Sequence, residues 1–359
     1  MATIYDVAAL AGVSPKTVSR RINGDGPVRQ STRDSIDAAI RSLEYVPSNA
    51  ARSMRSTKSR LIGVITGVTS ANLQINAPDG LPALQIVQGI QQELDDTDMT
   101  VMIADTGDRA DRIDAVAQTF QEHRAEGLIY VAGFHQKIQK PAVASDVPLV
   151  LANCFADDHM HAILPDDHQG QFELTRRLIR AGHRRIAYAA LSHDVIASQL
   201  RTAGYRAALE ADHIPFDPEL VDYIGSESDP STVEHLMTFL KKVLELDDPA
   251  TMICFGNDQM AMRAYGMLRS MGLSLPDDVS IAGYDNYRPI AEALFPPLTS
   301  VELPYSAMGR QAAQRLLKLI QNPSSVGSEP MVEAAPVRWR ESVKSINVAN
   351  ESNSPKGGK

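Results

Sequence analysis

The sequence predicts a small all-α three-helix headpiece with a hinge helix, followed by a two-lobed α/β core of doubly wound parallel sheets. Three observations support this fold class. Residues 3 to 45 carry apolar side chains at helical spacing, and beyond residue 60 short apolar runs alternate with amphipathic segments. Residues 1 to 60 hold 10 basic and 5 acidic side chains, whereas the remaining 299 hold 25 and 39. A basic head on an acidic body is expected when one end of a chain neutralises phosphates.

The first helix is predicted by an apolar stripe at positions i, i+3, i+4 and i+7, formed by Ile4, Val7, Ala8 and Ala11. Gly12 follows the stripe. Because glycine adopts the left-handed conformation at low cost, we expect the helix to end there.

A second helix is predicted to begin at Ser14 and Pro15. A serine hydroxyl can cap free backbone amides, and proline at the first helical position loses no hydrogen bond. Lys16 and Arg20, four residues apart, share the outward face. Two helices about a tight turn indicate a helix-turn-helix, so double-stranded DNA is the first partner to consider. The alternative is a helical hairpin with a solvated basic face.

A third helix is predicted from Ser31, which opens a capping pattern with an acidic residue three positions on, and from the apolar spacing of residues 36–43. A proline and a cap-forming serine follow. We therefore expect a headpiece over residues 1–46 and a hinge helix with a linker over residues 47–60.

Composition limits the class of the remaining chain. With 43% apolar residues, about 300 residues suffice for a large core and more than one domain. No apolar run is long enough to span a bilayer, and the N-terminus reads as a folded motif rather than a leader, so we expect a cytoplasmic protein. Cys154 and Cys254 lie on separate apolar runs and are interpreted as buried free thiols.

The body repeats a strand and helix alternation twice. Buried strands are predicted over residues 61–65, 100–104, 127–131 and 149–153, and then over 186–190, 220–224, 251–255 and 279–283. Helical patterns lie between them, at residues 111–124, 198–212, 232–246 and 258–271. This alternation is typical of parallel sheets, and its repetition predicts two lobes.

Residues 3 to 55 resemble the headpiece and hinge of the lactose repressor family of bacterial transcription regulators. The motif D-V-A-x-x-A-G-V-S-x-x-T-V-S-R is intact from Asp6 to Arg20. The resemblance implies base contacts by Pro15, Lys16 and Arg20, of which the proline contact must be apolar. It also implies phosphate contacts by five polar residues, namely Thr3, Ser14, Thr17, Ser19 and Asn23.

The family hinge orders in the minor groove of DNA, and the resemblance assigns that role to Ser48, Asn49, Ala51, Arg52 and Met54. Met54 stands at the position that wedges between base pairs. Arg21 departs from the family, which usually has an apolar residue there. Either the Arg21 stem packs while its guanidinium touches a phosphate, or the headpiece is packed more loosely.

Residues 61–342 resemble the family's effector-binding core, which is similar to periplasmic sugar-binding proteins. The resemblance rests on residues 181–186, 255–261 and 275–286. It implies three crossings between lobes, near residues 162–165, 286–290 and 321–328. Lobe one is then expected over residues 61–162 and 290–322, lobe two over 163–287 and 326–342, and a disordered tail over 343–359. The tail has no leucine heptads, so we expect a homodimer rather than a tetramer.

The effector site is predicted from strand ends. Asn153, Asn257 and Asp285 each end an apolar run, at the sheet edge where open α/β sheets bind ligands. Arg201 matches a family position that holds the ligand, and Asp105 is a further candidate. Together these donors and acceptors suit the hydroxyl groups of a sugar. The alternative is that Asn257 merely caps a helix and Asp285 a turn.

Catalysis has no positive signal in the sequence. Ser192, His193 and Asp194 are neighbours in sequence, which rarely meet as a triad, and no nucleophile elbow is present. His and Asp residues between positions 157 and 168 fit no metal-ligand spacing and are typical of a solvated acidic loop. We expect no cofactor and no metal.

The resemblance therefore implies a sequence-specific DNA-binding regulator that represses carbohydrate-utilisation genes. It is expected to bind a pseudo-palindromic operator as a homodimer and to respond to a small sugar-like effector between the lobes. Three alternatives stay open: a nucleobase or other non-sugar effector, an activator, and a sugar-modifying enzyme fused to a DNA anchor.

Overall fold

The computed structural model describes residues 2–24, 26–45, 59–67, 81–107, 109–157, 161–225 and 231–346. It divides the chain into two compact units, Met1–Arg60 and Leu61–Lys359. The predicted minor-groove residues and residues 347–359 of the predicted tail lie outside the described residues. The predicted start of a disordered tail at residue 343 is wrong, because Val343 is buried and the Lys344 amide donates to the Ser280 hydroxyl oxygen at 3.0 Å. Within the described part of the chain, no helix is long and apolar enough to cross a membrane.

The headpiece contains the three predicted helices, α1 (Ile4–Ala11), α2 (Pro15–Asn23) and α3 (Gln30–Ser42). Gly12 ends α1 with φ 66°, in the left-handed region where glycine is favoured. The three helices enclose a small apolar core built on Val7, Val18 and Ile36, each with no exposed surface. The predicted end of α1 at Gly12 and the predicted start of α2 at Ser14 and Pro15 are confirmed.

The predicted cap of the third helix is wrong. Helix α3 begins at Gln30 after Arg29, whose side chain makes no capping hydrogen bond. The Nε2 of Gln30 donates to Oδ1 of Asp34 at 2.9 Å, so the carboxylate is engaged within the first turn instead of completing a cap with Ser31.

The core strands, in chain order, are β1 (Leu61–Thr66), β2 (Thr100–Asp105), β3 (Gly127–Lys137), β4 (Leu149–Phe155), β5 (His161–Pro165), β6 (Ile186–Ala190), β7 (Val221–Tyr223), β8 (Met252–Phe255), β9 (Ser280–Asp285), β10 (Thr299–Glu302), β11 (Met331–Glu333) and β12 (Val337–Arg338). The core helices are α4 (Leu81–Leu94), α5 (Ile113–Glu122), α6 (Asp167–Arg180), α7 (Ile196–Ala211), α8 (Ser231–Leu244), α9 (Asp258–Ser270), α10 (Arg288–Ala291) and α11 (Tyr305–Gln321).

Two six-stranded sheets form the two lobes. The first sheet has the order β11-β5-β4-β3-β1-β2, and the second has the order β12-β10-β9-β8-β6-β7. Neighbouring strands run parallel throughout, except that β12 is antiparallel to β10. The doubly wound, two-lobed fold predicted from the sequence is confirmed.

Two of the three predicted lobe crossings are displaced. Strand β10 pairs with β9 in the second sheet, so the chain leaves lobe two after residue 302 rather than near 286–290. Strand β11 joins the first sheet and β12 the second, so the last crossing lies at residues 334–336 rather than 321–328. Strands of two to four residues carry too little apolar pattern to be recognised in sequence.

Helix α11 returns the chain to lobe one, where it packs closely against α4. A Cβ on Gly309 would lie 2.0 Å from the carbonyl oxygen of Ile86, and one on Gly89 would lie 2.2 Å from that of Ser306. Only glycine lets two helix backbones approach this closely. This contact fixes the helical layer on one face of the first sheet.

Strand β2 differs from its prediction as a buried strand. It lies at the edge of the first sheet, and Met102 and Ile103 are each 42% exposed. Its partner β1 is buried along its whole length. The apolar run was read correctly as a strand, but an edge position leaves its side chains open to solvent.

Candidate DNA-binding surface and effector site

Helix α2 presents the predicted base-reading residues at its start. Lys16 and Arg20 are exposed and lie four positions apart, and Pro15 occupies the first helical position. Ser14 caps the helix, because its Oγ accepts a hydrogen bond from the Thr17 amide at 3.2 Å. The free N-terminal end of the helix and the two cations make this surface suitable for phosphates and base edges.

The five residues predicted to contact phosphates have different surroundings. The Thr3 hydroxyl donates to Oδ2 of Asp6 at 2.7 Å, within a capping box, and the Ser14 and Thr17 hydroxyls lie 2.9 Å apart. Asn23 is the last residue of α2. Ser19 is only 8% exposed, so its hydroxyl is the least open of the hydroxyls in this set.

Arg21 is tied to the neighbouring helix. Its Nη2 donates to Oδ2 of Asp37 on α3 at 2.8 Å. This hydrogen bond and the charge of Asp37 raise the pKa of Arg21. Neither sequence-level account of Arg21 anticipated a pairing within the headpiece.

In the core, Arg201 is the centre of a buried cluster of charges. It lies on α7 and is only 4% exposed. Its Nε donates to Oδ1 of Asp167 at 2.7 Å, and its Nη1 donates to the Gly256 carbonyl oxygen at 2.7 Å. The guanidinium carbon stands 3.7 Å from the centre of the Tyr284 ring, a cation–π geometry. The Arg201 side chain is therefore held in a single position before any ligand arrives.

Asp167 connects the two lobes. It is the first residue of α6 and almost fully buried, and its second oxygen, Oδ2, lies 2.8 Å from Nδ1 of His135 on β3. Burial alone would raise the pKa of Asp167, but the charge of Arg201 and the hydrogen bond from His135 outweigh it and lower the pKa. The interpretation of this segment as a solvated acidic loop is wrong for Asp167. One ionised carboxylate thus joins a lobe-one imidazole to a lobe-two guanidinium.

Asp285 lies beside this cluster on a strained backbone. Its Oδ1 is 3.8 Å from Nη1 of Arg201, and its φ is 106°. Asn286 (φ 49°) and Asn153 (φ 61°) also adopt the left-handed region. Non-glycine residues rarely do so, and such strain gathers at binding sites because the surrounding structure must hold it.

The remaining predicted effector residues belong to different strands: Asn153 lies two residues before the end of β4, Asn257 follows β8, and Asp105 ends β2. Asn153 is buried on β4, and its Nδ2 donates to the Ala132 carbonyl oxygen at 3.3 Å. Asn257 caps α9, because its Oδ1 accepts from the Met260 amide at 2.8 Å. Asp105 accepts from the Gly107 amide at 2.6 Å and stands on β2, which β1 and β3 separate from β4. Of the predicted set, Arg201 and Asp285 lie within ion-pair distance of each other.

Asp258 holds the strained loop and was not predicted. Its Oδ2 accepts from the Tyr287 amide at 2.7 Å, and its Oδ1 accepts from the Ser300 hydroxyl at 2.6 Å. Burial of this carboxyl raises its pKa to about 7. The Ser300 Oγ in turn accepts from the Asn286 amide at 3.0 Å. The loop at the end of β9 is therefore fastened from α9 and β10.

Three functional candidates escaped sequence reasoning: His135, Asp167 and Asp258. Asp258 follows a predicted cap residue, so the adjacent polar pair was an available signal. His135 lies beyond a register shift in β3, where the pairing with β4 is irregular, and nothing in the sequence marks it. Asp167 belongs to a run of acidic residues in which one buried member cannot be distinguished.

Comparison with known proteins supports the architecture. A family model described as "Bacterial regulatory proteins, lacI family" matches residues 3–48, and one described as "Periplasmic binding protein-like domain" matches residues 175–343. The sucrose operon repressor of Escherichia coli is 31% identical over 324 residues, which are 89% of this chain and 94% of that protein. The chain belongs to the lacI family of bacterial regulatory proteins.

Other members are similar at comparable levels. The HTH-type transcriptional repressor PurR of Vibrio parahaemolyticus is 29% identical and covers 90% of this chain, with 93% of that protein covered. The structure of the lac repressor dimer bound to operator and the anti-inducer ONPF superposes with a TM-score of 0.78 at 24% identity. It covers 96% of this chain and 99% of that chain, a likeness that shows the fold.

LacI-family membership decides the class of activity. The protein is a DNA-binding transcription regulator and not an enzyme, in line with the helix-turn-helix headpiece and with relatives that are transcriptional repressors.

Proposed function

We propose that this LacI-family protein represses carbohydrate-utilisation genes and that a small neutral sugar bound between the two core lobes controls its affinity for the operator. The observation that carries the proposal is the contact in lobe two between Arg201 on α7 and Asp285 at the end of β9, with Asp167 joining Arg201 to His135 of lobe one. A solute that contacts this cluster touches both lobes at once, so its binding energy can shift their arrangement.

Charge favours a neutral effector over an anionic one. The guanidinium of Arg201 already faces Asp167, and Asp285 is its second acidic neighbour. An anion would add a negative charge to a cluster in which carboxylates already balance the cation. Sugar hydroxyls donate and accept hydrogen bonds without adding charge, which suits this set of groups. The operon name of the sucrose operon repressor points in the same direction.

On the DNA side, Lys16 and Arg20 read base edges in the major groove, and Pro15 makes an apolar contact. Thr3, Ser14, Thr17, Ser19 and Asn23 contact phosphates and fix the register. Ser48, Asn49, Ala51, Arg52 and Met54 order in the minor groove, with Met54 as the wedge. A regulator of chromosomal genes with this mode of binding works in the cytoplasm.

A homodimer fits the exposed apolar side chains of both lobes. In lobe one, Met102 and Ile103 face solvent on an edge strand, and Leu84 is exposed on α4. In lobe two, Phe295 is 80% exposed and Met262 is exposed on α9. Large exposed apolar side chains on both lobes are expected of surfaces that pair with a second copy. The two headpieces of a dimer would then read a pseudo-palindromic operator.

The test is binding of the purified protein to DNA from upstream of its own gene, titrated with neutral sugars, their phosphates and purine bases. We expect sequence-specific binding that a neutral sugar changes at least fivefold. A response to a purine alone would replace the sugar with a nucleobase effector. Binding that no solute alters would contradict effector control.

A further inference from the structure

We propose that Arg21 is a positioning residue for DNA recognition, whose ion pair with Asp37 sets the orientation of α2 against α3. Lys16 and Arg20 depend on that orientation to reach the bases. This inference rests on the proposed base-reading role of α2. It assigns Arg21 a task different from a phosphate contact, which is one of the two alternatives that the sequence alone left open.

The geometry directs the Arg21 side chain toward the seam between the two helices. Its Nη2 lies 2.8 Å from Oδ2 of Asp37, and the two side chains are 38% and 31% exposed. Its Nε is buried and has no hydrogen-bond partner among the residues that the structure describes. Asp37 follows Ile36, which is fully buried in the headpiece core. The ion pair therefore sits at the border of the core, where its charges are partly shielded from water.

Helix α2 is packed mainly on α1 and has little contact with α3, so the ion pair adds a direct link between α2 and α3. Helix α2 is nine residues long, and Val18 is its only fully buried apolar side chain among those described. Its contact with α3 is also much smaller than the contact between α1 and α3. Base readout needs side chains placed within about 0.5 Å and 10–20° of the productive geometry. A bond near the end of α2 limits the tilt of the whole helix.

Salt dependence separates positioning from a phosphate contact. Each phosphate contact that is lost lowers the slope of log affinity against log salt by about one. Loss of a positioning bond weakens the specific complex but leaves the number of neutralised phosphates unchanged. Removal of Asp37 also distinguishes the two roles. If Arg21 contacts a phosphate, loss of Asp37 frees it for DNA; if the ion pair positions α2, loss of Asp37 misplaces the helix.

The experiment uses the full-length protein and two duplexes: the site that it selects from a random pool, and a scrambled sequence. The variants are Arg21→Met, Asp37→Asn, the double variant, and the charge exchange Arg21→Asp with Asp37→Arg. Arg41→Met is the matched control, because Arg41 is an exposed arginine on α3. Affinity is measured at four salt concentrations.

We expect Arg21→Met and Asp37→Asn each to reduce affinity for the selected site about fivefold per headpiece. Affinity for the scrambled duplex and the slope of log affinity against log salt should stay unchanged. The double variant should be no worse than either single one, and the charge exchange should recover most of the loss. Arg41→Met should bind like wild type.

Three results would overturn the proposal: a salt slope that falls by about one per headpiece in Arg21→Met, additive losses in the double variant, or wild-type affinity in Asp37→Asn. If Arg21→Met loses all DNA binding through misfolding, the charge exchange decides: recovered binding supports the pair, and no recovery contradicts it. A wild-type protein that selects no sequence would refute the DNA-reading role itself, and that outcome is visible without any variant.

Discussion

Among single residues, Arg201 and Asp167 form a buried ion pair with His135 and Asp285 beside it, and we propose that the effector contacts this cluster. Arg201 was found by its resemblance to a ligand-holding family position, and Asp285 by its place at the end of an apolar run. Asp167 and His135 were not found, because their partners come from distant parts of the chain and only the folded core brings them together. A sequence shows which strand ends carry polar groups but not which of them meet.

Replacement of Arg201 by Met should destabilise the core. It leaves the Asp167 carboxylate buried without its cation, which costs about 3 kcal/mol in free energy of unfolding. Adding Asp167→Asn to that variant should recover more than half of the loss, since no unpaired charge remains. Urea denaturation measures both. A single variant as stable as wild type would show that Asp167 does not depend on Arg201.

Asp258 should make stability depend on pH. Burial raises its pKa from 3.8 to about 7, so the folded state holds this proton more tightly than the unfolded state does. Its contribution to the free energy of unfolding is therefore present below about pH 4 and is lost as pH rises toward 7.

Asp258→Asn keeps an acceptor for the Tyr287 amide and removes the titration. Between pH 5 and pH 8, the free energy of unfolding of wild type should fall by on the order of 1 kcal/mol more than that of this variant. The exposed Asp95→Asn serves as the control and should follow wild type. Identical pH profiles for wild type and Asp258→Asn would contradict the raised pKa.

At the scale of elements, local signals predicted most of the chain. The spacing of apolar residues and the turn chemistry around Gly12 and Ser14 predicted where α1 ends and where α2 begins. The short strands β10 to β12 were missed, because two to four residues give no period to detect and their pairing is set by the sheet. Because these strands were missed, two lobe crossings were predicted at the wrong residues. The pairing of strands that are distant in the chain was therefore the feature least predictable from the sequence.

The two kinds of DNA contact on α2 should respond differently to truncation. Arg20→Ala should cost about 1–3 kcal/mol on the best site and relax preference at one position of each half-site. Thr17→Ala should weaken binding by a similar factor on all sequences, because a phosphate contact carries no base information. Selection from a random pool, followed by affinity measurements, compares the two. Preserved sequence preference in Arg20→Ala would contradict its role in readout.

At the scale of the whole molecule, the protein couples a basic DNA-binding unit to an acidic two-lobed core. With a chain mass of 39.1 kDa, we expect about 78 kDa in sedimentation, the mass of a dimer.

Met102→Lys places a charge on the exposed edge strand β2 and should shift the protein toward 39.1 kDa, while operator affinity falls. Lys140→Met, at an exposed lysine of the two-lobed unit, is the control and should leave the mass in sedimentation at that of wild type. A tetramer, or a dimer unaffected by Met102→Lys, would contradict this interface.

If effector and operator binding are linked through the core, each must change the affinity for the other by the same factor. The factor by which a bound sugar changes operator affinity must equal the factor by which operator DNA changes sugar affinity. Both constants can be measured by calorimetry and fluorescence anisotropy on one preparation. We expect both affinities to change by the same factor of at least five, and we expect that factor to fall to one in Arg201→Met. A sugar that binds the core with the same affinity whether or not operator is present would contradict this linkage.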